Sequence, residues 1–191
     1  MGDSDLIDEL DESFGNWVAV VIRNPNQPQI SSVFVKKLAN ARNLRGVYIT
    51  INKPFDILQK AFLKSEINME NLYFVDAITK HINEKTENKE NCSFINSPSN
   101  LTTLAITIMQ AAKMMQAKNS SKETPVFIVV DSMNTFLVYN DETTVKRFFH
   151  FLISKAREFG CKCLLFSADM NEVASLNRLV GDFSDKVIEY G

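Results

Sequence analysis

The stretch from Trp17 to Ser32, WVAVVIRNPNQPQISS, decides how the rest of the chain is read. Residues 17–22 are apolar without a break, the pattern of a strand buried on both faces. Residues 23–29 then bring Asn24, Pro25, Asn26 and Pro28 close together, which predicts a loop. From residue 30 onward Val33, Phe34, Leu38 and Ala41 fall on one stripe, so a helix is expected over 30–44. A buried strand, a loop and a helix in that order open a parallel α/β sheet.

In many α/β proteins this junction holds the phosphates of a nucleotide. The pattern that does so is Gly, four residues, Gly, Lys, then Ser or Thr. Counting from Asn24, the chain offers Asn24, four residues, Gln29, Ile30 and Ser31. Asn24 tolerates the left-handed backbone a glycine would supply, whereas Gln29 does so only at a cost. Ile30 brings no charge where a lysine would meet the β- and γ-phosphates. Pro25 and Pro28 remove two backbone donors. A helix start with two hydroxyls, Ser31 and Ser32, is left. It reads either as a weak anion site or simply as a helix cap.

Outward from this unit, strands and helices alternate. Strands are expected at 47–51, 72–75, 92–95, 125–131, 162–167 and 186–190. Helices are expected up to Leu63, from a start at 97–100 to about 117, from 142 to 159 and over 171–180. Asn52 is placed to cap the helix that Pro54 opens, and Asp141 and Gly160 bound the helix between them. PVFIVVD, at 125–131, is the most apolar strand and is expected at the centre of the sheet. Residues 81–91, HINEKTENKEN, form a polar excursion. The pattern predicts an α/β fold: three layers, doubly wound, with a mainly parallel sheet. Residues 1–15 form a separate acidic amphipathic segment, read as packing on its own domain or as docking a basic partner. Residues 16–191 form a single domain.

The chain has 191 residues, 45% of them hydrophobic and 23% charged, with a net charge of -2. That balance predicts a soluble protein without the global basic field of a nucleic-acid binder. No apolar run is long enough for a membrane span, and the acidic start lacks the form of a secretory leader, so a cytoplasmic location is expected. Cys92, Cys161 and Cys163 argue for reduced, buried thiols rather than a disulfide framework or a metal site. Met109, Met114 and Met115 read as core filling. Basic residues cluster at Lys36, Lys37, Arg42 and Arg45, and again at Lys146, Arg147, Lys155 and Arg157. They read as solvated helix faces, with a nucleic-acid surface as the other reading. Asp76, at a strand end, suits the phosphoacceptor of a receiver domain, but the acids such a domain needs after its first strand are replaced by Arg23 and Asn24.

With these elements in order, the chain resembles the RecA-fold ATPases of the KaiC-like family, above all short archaeal members with a degenerate nucleotide site. The resemblance runs from Trp17 to the end. The loop from Asn24 to Ser32 stands where those proteins carry the Walker A loop. TINKP, at 50–54, stands where their strand ends in two glutamates and a proline, and NLYFVDA, at 71–77, resembles their next strand. FIVVDS, at 127–132, matches their Walker B strand with its Asp and Ser. Residues 178–190 resemble their closing helix and strand.

The resemblance implies a RecA-like P-loop NTPase fold. It implies a vestigial nucleotide site made of Asn24, Gln29, Ser31, Ser32, Lys53, Asp131 and Ser132. One glutamate after strand two polarises the attacking water in active members; Asn52 and Lys53 stand there and cannot. Lys53 is also placed to lend the charge Ile30 lacks. The expectation is a pseudo-ATPase with no catalytic residue, no metal site and no resident cofactor, with ATP and magnesium as the exception to test. It would act as a regulatory or assembly protein through a protein partner, by self-association or pairing with an active paralogue. The alternatives are a weak ATP-binding sensor and a DNA-associated accessory protein of the recombinase-paralogue kind.

Overall fold

The computed structural model describes residues 3–24 and 30–190, with side chains from residue 6 onward in that range. Its centre is a seven-stranded sheet of β1 (Val18–Arg23), β2 (Gly46–Thr50), β3 (Leu72–Asp76), β4 (Cys92–Phe94), β5 (Phe127–Val130), β6 (Lys162–Ala168) and β7 (Lys186–Tyr190). The order is β4-β3-β2-β5-β6-β1-β7, and every pair is parallel. The chain leaves β1, steps over two vacant positions to β2, and runs outward to β4. It then returns to fill the gap with β5 and β6, and finishes outside β1. β5 is fourth of seven and wholly buried, as its unbroken apolar run requires.

Crossovers between parallel strands are right-handed, so outward and returning connections lie on opposite faces. One face carries α2 (Ile30–Lys36) and α3 (Phe55–Lys64); the other carries α5 (Leu101–Ala117), α6 (Glu142–Glu158) and α7 (Ala174–Asp182). Two cores follow. The first gathers Trp17, Phe34, Tyr48, Phe55, Phe62 and Phe74. The second gathers Leu104, Ile108, Met115, Phe136, Phe149 and Leu152. The short α4 (Thr79–Ile82) begins the exposed excursion before β4. The three layers are those expected.

α1 (Asp3–Phe14) docks on the α2 face. Ile7 and Leu10 enter the first core. The acidic side chains reach back to the same domain: Asp8 pairs with Lys37 and Arg42, Asp11 with Lys162, and Glu9 with Lys186. Of the two readings of this segment, packing on its own domain is the one seen.

Several local expectations change. The helix opening at Ile30 is α-helical only to Lys36; Lys37–Ala41 is a π-turn, with Arg42 N–H donating to Lys37 O at 3.0 Å. The widened turn frees carbonyls, and the buried Asn71 amide donates to that of Ala39 at 2.9 Å. Asn52 does not cap α3. Its Oδ1 accepts from Thr135, and Asp76 instead accepts the Phe55 N–H at 2.7 Å. Met109 and Met115 are core residues, but Met114 lies on the surface. No helix among the described residues is long and apolar enough to cross a membrane.

Gly46 is required by contact rather than by backbone angle. It opposes Phe127 in the β2–β5 register, and a Cβ there would sit inside the buried Phe127 ring. Gly46→Ala is expected to destabilise by about 2–3 kcal/mol, the range of an overpacked core. Urea unfolding checks this, and Phe127→Leu in the same chain should recover part of the loss.

Candidate functional site

In a parallel sheet all the carboxyl ends lie along one edge, and ligands settle where neighbouring strands send their connections opposite ways. This sheet has two such places, between β2 and β5 and between β6 and β1. Each opens into a cavity.

The first cavity, about 400 Å³, is lined by Arg23, Ser31, Ser32, Asn52, Lys53, Lys64 and Asp131, with Tyr48 and Phe62 among its apolar walls. Four sequence-predicted residues, Ser31, Ser32, Lys53 and Asp131, therefore meet. Arg23, Lys64 and Tyr48 are added. Arg23, the last residue of β1, falls in the expected loop; its place directly after the expected strand, on the ligand edge of the sheet, was the signal that could have found it. Lys64, at the end of α3, and Tyr48, inside β2, gave no signal in sequence. Arg23, Lys53 and Lys64 form no ion pair among the described residues.

The other predicted residues lie elsewhere. Asn24 donates its backbone N–H to Tyr190 O and lines the second cavity, about 790 Å³, with Asp169, Arg178, Asp182 and Glu189. The Ser132 hydroxyl is buried, 3.0 Å from Asn134 Oδ1 and 2.8 Å from Thr135 Oγ1. Gln29 lies outside the described residues.

The chemistry of the first cavity is set by how its oxygens are already used. Ser31 does not cap α2, because it lies within the helix; its Oγ lies 3.2 Å from the buried Tyr48 hydroxyl. Burial, helped by the nearby Asp131 charge, holds the Tyr48 phenol above its ordinary pKa, so it stays a neutral hydroxyl.

Asp131, just beyond β5, is 8% exposed. Its Oδ1 accepts from Ile51 N–H at 3.4 Å, and its Oδ2 lies 2.9 Å from Thr50 Oγ1. Thr50 Oγ1 is also 2.8 Å from Lys53 O, so one hydroxyl proton faces two acceptors. Desolvation is the largest influence on the carboxyl and outweighs these bonds and the more distant Arg23 and Lys53; its pKa is pushed up to about 6.

Other candidate groups are occupied. Asp76 receives four hydrogen bonds from its own chain, so it has no phosphoacceptor geometry. Lys36 pairs with Glu66, and Lys37 and Arg42 with Asp8, which removes much of the charge that a nucleic-acid surface on α2 would use. The three cysteines are buried and free, with the Cys161 thiol pushed up to about 11 by burial. Among the described residues no group of three His, Cys, Asp or Glu is placed to hold a metal ion.

Two solved structures share this architecture. A KaiC-like protein, PH0186, from the hyperthermophilic archaeon Pyrococcus horikoshii OT3 superposes with a TM-score of 0.62 at 15% identity, over 90% of this chain and 70% of that one. An uncharacterized protein, PH0321, from Pyrococcus horikoshii, crystallised in complex with an unknown peptide, superposes with a TM-score of 0.69 at 12% identity, over 95% and 82%. At such identities the likeness is one of fold. No curated protein matches the sequence. A family model does match, over residues 63–189: the chain belongs to DUF7504, a family of unknown function. The matched span runs from the end of α3 to β7, and leaves β1, its loop and β2 outside.

Proposed function

We propose that the chain is a non-catalytic RecA/KaiC-like domain that works by binding another protein, as a regulatory or assembly subunit. The observation that supports this most is the state of Asp131. The one acid at the expected magnesium position is buried, bonded to Thr50 and Ile51 and pushed toward its neutral form. Asn52 and Lys53 supply no base for water, and Ile30 no charge for the β/γ-phosphates. The peptide in the PH0321 crystal is in keeping with a protein-binding role for this architecture. Self-association or pairing with an active paralogue is the natural form of that role.

A second reading, a weak ATP-binding sensor, is favoured by one observation: Arg23, Lys53 and Lys64 converge on the 400 Å³ cavity without ion-pair partners among the described residues. One experiment addresses both readings. Phosphate release from millimolar ATP with magnesium is expected to stay at the blank rate, and turnover above it would overturn the main proposal. A thermal shift with ATP that is lost in Arg23→Ala and in Lys53→Ala would establish the sensor, and no shift would end it.

A further inference from the structure

Helices α5 and α6 lie side by side over the second core, and among the described residues no element covers the groove between their outer surfaces. Two cavities open along it. One, about 320 Å³, is lined by Leu101, Ala105, Ile106, Arg147, Phe148 and Phe151. The other, about 270 Å³, is lined by Ala112, Lys113, Lys122, Val126, Phe159 and Cys161. Ile106, Phe151 and Phe159 are 39–54% exposed along this strip, more apolar surface than the core requires.

The charged residues that line the two cavities are all cations. α5 carries no acidic residue from Leu101 to Ala117. Lys113 lies over the Phe159 ring, 5.0 Å from its centre, and Arg147 and Lys122 line the two cavities. None of these three cations forms an ion pair among the described residues, whereas their neighbours Lys146 and Lys155 are paired with Glu142 and Glu158. From Leu101 to Ala112 the helix rises roughly 16 Å, about three turns.

We infer that the α5–α6 groove is a docking site for an acidic amphipathic helix of a partner protein. The partner's apolar residues, at spacings near i, i+4, i+7 and i+11, fill the two cavities, and its carboxylates face Lys113, Lys122 and Arg147. A second copy of this chain is a poorer occupant. Its own acidic helix, α1, already spends Asp8, Glu9 and Asp11 on ion pairs within its domain. The inference rests on the protein-binding reading above and gives that reading a surface and a partner chemistry.

The test is a fluorescence-anisotropy titration of the full chain with a labelled synthetic helix, leucines at the four spaced positions and glutamates elsewhere. Two control peptides accompany it, one with lysine for glutamate and one with the acidic residues kept but the leucine spacing scrambled. Saturable binding of the first peptide alone is expected. Binding should weaken about tenfold or more in an Ile106→Ser, Phe151→Ser chain, as for loss of central anchors. Arg147→Glu should weaken it several-fold and improve binding of the lysine peptide. These positions are exposed, and an unchanged melting temperature shows that the variants remain folded. No binding at millimolar peptide, equal binding of the controls, or binding indifferent to the serine pair overturns the inference. So does a concentration-dependent dimer that the serine pair abolishes, since the groove is then a self-contact. A chain that hydrolyses ATP yet binds the peptide would sink the functional reading and keep the groove. One that does neither would sink the groove alone.

Discussion

Replacing Asp131 by asparagine is expected to stabilise the protein by about 3 kcal/mol above pH 7, because the folded carboxyl keeps its proton to a pH near 6 instead of its ordinary 3.8. Between those two values the folded chain holds more protons than the unfolded one. Stability from this group is therefore greatest below pH 3.8, falls as the pH rises through the interval, and is fully forfeited above about 6. Asparagine, which does not ionise, carries no such cost. Its amide also solves the local proton problem: Nδ2 donates to Thr50 Oγ1, which is then free to give its own proton to Lys53 O, while Oδ1 still accepts from Ile51. The expected rise in melting temperature is roughly 5–10 °C at pH 8 for a chain of this size. The gain should shrink to about half at pH 5, where part of the wild-type carboxyl is already protonated. Thermal melts of both chains at the two pH values check this. A destabilised Asp131→Asn chain at pH 8 would mean that the carboxylate is held ionised, and the support drawn from it for a non-catalytic site would go with it.

The sheet was readable because burial leaves an unambiguous signature. The unbroken apolar runs at Val18 and at Phe127 both proved to be interior strands, displaced by a residue or two from their expected ends. Of the order of strands, only the central place of the Phe127 strand was legible; the rest depends on which crossovers go outward and which return. The site was half legible. Ser31, Ser32, Lys53 and Asp131 stand on elements whose ends the sheet brings together; motif spacing pointed to the two serines, and the family resemblance to Lys53 and Asp131. What spacing does not carry is which polar group each side chain meets. Ser31 meets Tyr48, which lies in the middle of a strand and offers no motif. Asn24 follows β1 as expected but turns toward β7, because β7 is the strand that pairs outside β1. The π-turn at Lys37–Ala41 was likewise invisible. Its freed carbonyl is met by Asn71, thirty-two residues on, and no window of sequence contains both.

The same substitution at the end of β3, across β2 from β5, should act in the opposite direction. Asp76 closes β3, is fully buried, and accepts from Phe55 N–H at 2.7 Å and Thr79 Oγ1 at 2.5 Å on one oxygen, and from Ile78 N–H at 2.8 Å and Thr79 N–H at 2.7 Å on the other. Where Asp131 has two donors and a competitor, Asp76 has four donors and none. It joins the first turn of α3 to the turn that opens α4, two segments more than twenty residues apart. Asp76→Ala is expected to cost about 3–5 kcal/mol, since three backbone N–H groups are left without an acceptor in a dry site. Asp76→Asn keeps one accepting oxygen but sets an N–H₂ against the Phe55 N–H, and should cost about 2 kcal/mol. Urea unfolding of Asp76→Asn and Asp131→Asn side by side at pH 8 makes the comparison. Losses at both positions would mean that both carboxylates are anchors. Opposite signs would separate a carboxylate that holds the ligand edge together from one whose charge the fold maintains at a cost. The second kind is what a vestigial magnesium position should leave behind: an acid buried without its cation, whose charge the fold does not need.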